Sequence, residues 1–187
     1  MTARYDLMMD WLAAILPVSA AAVTPASTDA SFRRYFRVRH DGRSVIVMDA
    51  PPPQEDCRPF VAVAGALAQL GLTVPKVLAA DLEQGFLLLT DLGERQYLAA
   101  LDAASAGGLY ADALAALLRL QLGGDPATGL LPPYDAGLLR RELELFREWY
   151  LGRHLRLALG DAGHQALDDA FAALVASALE QPRVWVH

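Results

Sequence analysis

The chain has a single cysteine, Cys57, so no disulfide can form within it and a reducing compartment suits it. Its four histidines, His40, His154, His164 and His187, are scattered and do not match a zinc-ligand spacing. Positive charge is also scarce. The net charge of −6 argues against a nucleic-acid surface. Locally, Arg33, Arg34, Arg37, Arg39 and Arg43 still gather enough charge to meet a small anion. No uninterrupted apolar run reaches membrane-spanning length: Asp10 and Pro17 break the stretch 7–23. The small residues 19–22 only loosely resemble a signal-peptidase site, and Arg4 alone supplies positive charge ahead of them. These absences describe a soluble, cytoplasmic protein that touches neither nucleic acid nor membrane.

What is present is apolar and helix-forming. With 187 residues, 54% of them hydrophobic, the chain can bury a sizeable core in about one domain or slightly more. Its organising stretch is 24–53, TPASTDASFRRYFRVRHDGRSVIVMDAPPP. Small residues come first: Ser27, Thr28, Asp29, Ala30 and Ser31, where a backbone can approach a ligand closely. A strand pattern follows over 32–39, Asp41-Gly42 marks a tight hairpin turn, and the β-branched run 44–48 is a second strand ended by prolines. The stretch reads either as an ordinary hairpin with a polar lip or as a loop laid over a phosphate chain.

Before it, 4–16 is an amphipathic helix with Met8, Trp11, Leu12 and Ile15 on one face and Pro17 beyond its end, and 20–24 is a short strand. After it, Glu55 and Asp56 open a helix carrying Phe60, Val63, Ala64, Leu67 and Leu70, which Gly71 ends. Two more strands are predicted at 74–80 and 85–89, the second apolar throughout as if covered on both faces. Residues 90–93 break the pattern as a linker. Helices follow: 110–122, with Leu114, Leu117 and Leu118 on one face; 135–159, with Leu139, Leu143, Phe146 and Tyr150; and one capped by Asp161 that bears Leu167, Phe171 and Leu174. Residues 183–187 begin a strand.

The order of strand, loop, hairpin, helix, two strands, linker and helices is that of a protein-kinase-like small lobe followed by its helical lobe. The stretches DASFRRYFRV, VMDAPPPQEDCRPFV, VPKVLAADLEQGFLLLTDLG and ELELFREWYLGRHL cover most of 28–155. On them the chain resembles the aminoglycoside phosphotransferase-like kinases, and within these the anomeric sugar kinases of cell-wall recycling that act on N-acetylmuramate and N-acetylglucosamine. The fold so implied is α+β and protein-kinase-like. An antiparallel-sheet small lobe (1–92) binds nucleotide, and 93–187 form part of a helical large lobe.

The resemblance implies ATP and an amino sugar as partners. Ser27, Thr28, Asp29, Ala30 and Ser31 take the place of the glycine-rich loop, here without glycine. Thr90, Asp91 and Leu92 form the hinge at the adenine. Met48 stands where kinases place a strand lysine, the only lysine is Lys76, and the next helix has no acid at mid-length. Both partners of the usual ion pair are thus absent together, and Arg34 is the candidate to help hold phosphate. His187 matches the first residue of the catalytic loop, so no catalytic residue and no metal ligand is assigned. Mg2+ is expected only for a full-length enzyme. The chain reads as an N-terminal fragment, inactive alone and prone to non-specific self-association. Two alternatives stay open: a non-catalytic kinase-like binding module, and a kinase of another hydroxylated substrate such as an aminoglycoside or choline. Trp149 reads as a core aromatic, Glu94 as a helix cap.

Overall fold

The computed structural model describes residues 3–17, 19, 22–28 and 31–186. The sequence expectations for Asp29, Ala30 and His187 lie outside these residues. The first compact unit ends at Gly124 and the second spans Asp125–Val186. The boundary expected at 92/93 differs from this division: by compactness the helical residues 97–123 group with the sheet.

The first unit is built on a five-stranded antiparallel sheet: β1 (Val23–Thr28), β2 (Arg34–His40), β3 (Arg43–Asp49), β4 (Val77–Asp81) and β5 (Phe86–Thr90), in the order β1-β2-β3-β5-β4. The β2–β3 hairpin turns where expected. Asp41 (φ 48°) and Gly42 (φ 73°) take the left-handed pair of a turn whose twist matches the flanking strands. β5 is covered on both faces, and its side chains divide by alternation. Phe86 and Leu88 pack with Val38, Val47, Met8 and Leu12 on one side; Leu87 and Leu89 pack with Met48, Ala50 and Cys57 on the other.

Helix α1 (Ala3–Ala13) covers the first side. Met8 and Leu12, four apart, are fully buried, and each such side chain contributes about 1.5–3 kcal/mol through burial. Trp11 stacks on Phe86 with ring centroids 5.5 Å apart. Helix α2 (Arg58–Gln69) carries Phe60 and Val61 onto the second side. It stops at Gly71 (φ 73°), where the Gly71 N–H donates to the Ala68 carbonyl and the Leu72 N–H to the Leu67 carbonyl.

One charge lies inside this unit. Asp49 is fully buried at the end of β3. Its Oδ1 accepts from Arg4 Nε at 2.9 Å and its Oδ2 from Arg34 Nε at 3.0 Å. Arg4 also reaches the Gln84 carbonyl and lies 4.1 Å over the Phe86 ring. Two guanidiniums thus bind one carboxylate and tie α1, β2, β3 and the β4–β5 turn together.

Several expectations are corrected. Ser27 and Thr28 belong to β1, paired with Tyr35 and Arg34, because the ladder continues past a bulge after Pro25. After the short helix α3 (Tyr97–Ala100), α4 (Ala106–Gly123) buries only Leu120, whereas Leu114, Leu117 and Leu118 are exposed. In the second unit, α5 (Ala136–Leu145) is capped by Asp135, whose Oδ1 accepts the Leu138 N–H at 2.8 Å. It passes into a π-helical segment, Phe146–His154, rather than continuing as α-helix. Trp149 is exposed there, with the Arg153 guanidinium 3.9 Å from its ring centre, so it is not a core aromatic. Helix α6 (Asp161–Leu179) has Gly160 as its cap and Asp161 in its first turn. It buries Phe171 beneath Arg140 and Arg147. Residues 183–186 form no strand, since no described segment pairs with them.

Gly85 (φ 75°) is the tightest backbone approach in the sheet unit: a Cβ there would lie 2.0 Å from the Ala50 carbonyl oxygen. The Ala50 N–H also donates to the Gly85 carbonyl at 2.8 Å, so neither strand can withdraw. Gly85→Ala is expected to lower the unfolding free energy by about 3 kcal/mol or more, read as a fall in denaturant midpoint. An unchanged midpoint would contradict this account of the turn.

Candidate functional site

The α2 side of the sheet carries a cleft of about 670 Å3 that lies wholly within the first unit. Its floor is apolar: Ala26 from β1, Tyr35 from β2, Ile46 from β3, Leu89 from β5 and Phe60 from α2. Strand alternation brings these together, since Tyr35 pairs with Met48 and Ile46 with Leu89 across the ladder. One wall is the segment 90–96 that follows β5. A flat apolar floor beside exposed chain suits a planar ring whose edge bonds to backbone.

Arg37 dominates the end of the cleft next to that wall. Its Nε donates to Asp91 Oδ2 at 2.6 Å and its Nη2 to Asp91 Oδ1 at 3.1 Å, while Nη1 engages Glu94. Both Arg37 and Asp91 side chains are nearly buried, at 11% and 5% exposed. Asp91 Oδ1 also accepts the Gly93 N–H at 2.9 Å, which folds the chain back at Gly93 (φ 90°). The Arg37 guanidinium holds the Asp91 carboxyl well below the usual carboxylate range against the opposing effect of burial, helped by the Gly93 N–H and the Ser44 hydroxyl. Reciprocally, Asp91 raises the Arg37 pKa.

The residues expected at a nucleotide site fall into distinct places. Ser27 lines the cleft, and so do Thr90, Asp91 and Leu92. The Thr90 N–H is already donated to the Lys76 carbonyl at 3.0 Å, and its Oγ1 accepts the Lys76 N–H at 2.9 Å. Asp91 and Leu92 lie beyond the last ladder pair at Val45–Thr90. Ser31 Oγ accepts the Arg33 N–H at 3.2 Å. Met48 is fully buried among Leu87, Leu89 and Cys57 and does not line the cleft. Burial raises the Cys57 thiol pKa, with Asp56 adding to it, so this thiol is no nucleophile.

Arg34 stands on the other side of the sheet. It belongs with Phe36 and Val38 on the α1 face, and Asp49 holds its guanidinium there. It therefore does not reach into the α2-side cleft, which corrects the phosphate role expected of it. Arg37 was missed as a site residue because all five arginines of the hairpin looked alike. The available signal was its even spacing from Tyr35, which puts both on one face. Glu94 pairs with Arg37 and caps nothing; the cap of α3 is Gln96.

Among the described residues no group of three or more His, Cys, Asp or Glu side chains could hold a metal ion. None of their helices is long and apolar enough to cross a membrane. A smaller cavity of about 430 Å3 beside the β2–β3 turn is lined by Leu16, His40, Asp41, Arg43 and Val45, with His40 Nε2 3.1 Å from the exposed Asp41 carboxylate.

The five-stranded antiparallel sheet, with a helix between β3 and β4, is an α+β unit of kinase-like order. The sequence agrees: residues 22–187 match the phosphotransferase enzyme family, APH, and the chain belongs to that family of enzymes. Individual relatives narrow the branch. The chain is 51% identical over 195 aligned residues to an N-acetylmuramate/N-acetylglucosamine kinase of Pseudomonas aeruginosa, covering 99% of this chain and 57% of that protein. It is 53% identical to the kinase of the same name from Pseudomonas putida, over 91% of this chain and 50% of that one. With the Neisseria meningitidis kinase of that name the identity is 35%, over 98% and 55%. The chain thus spans about half the length of the curated relatives it matches.

The Asp91 carboxylate has a consequence for acid stability. Its folded pKa is depressed, so the stability it contributes is present above the unfolded carboxylate value of about 3.9 and fades as pH falls below it. Between pH 5 and 2 the unfolding free energy should fall more steeply in the wild type than in Asp91→Asn, measured by urea titration at each pH. Parallel curves would count against the Arg37–Asp91 pair as a native contact of consequence.

Proposed function

We propose that the α2-side cleft binds ATP, and that the full-length protein transfers the γ-phosphoryl group to a hydroxyl of an amino sugar. The acceptor is N-acetylmuramate or N-acetylglucosamine at the anomeric position, and the setting is cytoplasmic cell-wall recycling. One observation carries the nucleotide reading. The cleft joins an apolar floor of Ala26, Ile46, Leu89 and Phe60 to a turned-back segment at Asp91 and Gly93, as a purine site requires.

In this reading the base lies on the floor with its edge at the Leu92 backbone, and the phosphates lie toward Ser27 and Ser31. Ser27 and Ser31 offer hydroxyl and backbone groups there, with Thr28, Asp29 and Ala30 between them. Phosphoryl transfer rests on positioning and charge compensation, and these residues contribute the first. Mg2+ would supply charge compensation at the phosphates. The acceptor assignment is supported by the names of the sugar kinases that the chain resembles over most of its length.

The test couples ADP release to candidate acceptors, using the full-length gene product. Turnover with N-acetylmuramate or N-acetylglucosamine, and none with an aminoglycoside or choline, is the expected result. ATP binding without turnover on any of them would favour a non-catalytic binding module. Turnover on choline or an aminoglycoside alone would replace the sugar assignment.

A further inference from the structure

A nucleoside triphosphate brings three to four negative charges into a cleft, and some cation of the chain has to orient them. The usual strand position is occupied by Met48, buried and apolar. Lys76 pairs by its backbone with Thr90, at the hinge end of the sheet. Arg37 is also at that end and is held by Asp91 and Glu94. Arg34 is on the α1 face, held by Asp49. Arg95 lines the cleft wall, also at the hinge end. At the loop end, ahead of β2, stands Arg33.

Resting on the nucleotide reading above, we propose that Arg33, oriented by Glu55, is the residue that positions the triphosphate. Arg33 is two residues ahead of Tyr35, a residue of the cleft floor, and it pairs with a carboxylate on the approach to α2. Arg33 Nε is 3.4 Å from Glu55 Oε2, in the segment that leads into α2. Glu55 is 16% exposed and does a second job: its Oε1 accepts the Phe32 N–H at 3.1 Å. Ser31 Oγ receives both the Arg33 N–H and, at 3.3 Å, its Nε. The loop and the guanidinium are therefore anchored to the same point at the entrance to α2.

The arrangement does the work of a lysine–glutamate pair with different residues. In kinases the cation comes from the third strand and the acid from the middle of the helix. Here both have moved toward the loop end, the cation to the start of β2 and the acid to the approach to α2. About a third of the Arg33 side chain is solvent-accessible, so an anion can approach it. A planar guanidinium can engage two oxygens of one phosphate while its Nε edge faces Glu55. Four residues of strand separate Arg33 from Arg37, about 13 Å at 3.3 Å each, which is the scale of an extended nucleoside triphosphate.

The experiment is calorimetric titration of the 187-residue chain with ATP and, separately, with adenosine, which lacks the phosphates. Arg33→Met should weaken ATP by about tenfold or more and leave adenosine unchanged; Arg33→Lys should recover part of the loss. Glu55→Gln should weaken ATP less than Arg33→Met does, again without changing adenosine. Arg34→Met should lower the melting temperature and leave the ratio of ATP to adenosine affinity as in the wild type. An unchanged ratio in Arg33→Met, with wild-type ATP binding intact, overturns this inference and leaves the nucleotide reading standing. A ratio lost in Arg34→Met instead overturns it in favour of Arg34. A wild-type chain that binds neither ligand removes the nucleotide reading and this inference together.

Discussion

The sheet unit depends on one buried carboxylate. Asp49 has no exposed surface, and an isolated charge in that position would cost several kcal/mol. Arg4 and Arg34 each give it a charge-assisted hydrogen bond, and neither arginine is itself far from water. This asymmetry reduces the usual penalty of a buried ion pair, because only one of the three charges is fully desolvated. Geometry follows from it. Asp49 is the last residue of β3 and Arg34 the first of β2, so their pairing closes the hairpin at the end opposite the Asp41-Gly42 turn. Arg4 brings α1 onto the same face, where Met8 and Leu12 complete the core.

That pairing also decides which arginines face the cleft. With Arg34 turned to the α1 face, alternation turns Tyr35 and Arg37 to the α2 face. A one-residue slip would exchange the two sets and put the apolar floor of the cleft in the α1 core. The same contact that makes Arg34 unavailable to a ligand thus turns Tyr35 and Arg37 toward the cleft. Stability and site geometry come from one constraint here.

This explains which features could be read from the sequence. The Asp-Gly turn, the stop at Gly71 and the two-sided burial of β5 are local signals, and each stands where its residues predict. The kinase-like order of elements was legible for the same reason. Arg34 was not. The run Phe32-Arg33-Arg34-Tyr35 offers no local clue to where the ladder begins, and the answer depends on Asp49, fifteen residues away. The leucines of α4 misled differently. Leu114, Leu117 and Leu118 have helical spacing, but spacing shows that they share a face and not what covers it. Residues 183–186 have strand composition without a partner, and β propensity is mainly a measure of fitting into a sheet.

The cleft is also polarised along its length, and this bears on how a nucleotide would enter it. At the hinge end two carboxylates, Asp91 and Glu94, meet Arg37, with Arg39 3.9 Å from Glu94. Arg37 is nearly saturated there by the bidentate contact, so a phosphate would have to displace a buried carboxylate to reach it. The displaced Asp91 would then lose the interaction that keeps it ionised at low exposure. At the loop end the Arg33–Glu55 contact is longer, at 3.4 Å, and more exposed, so exchanging part of it for a phosphate costs less. Both ends carry arginine, in pairs that differ in length and exposure. The difference between a tight, buried pair and a loose, solvated one is enough to orient a molecule that is neutral at one end and anionic at the other.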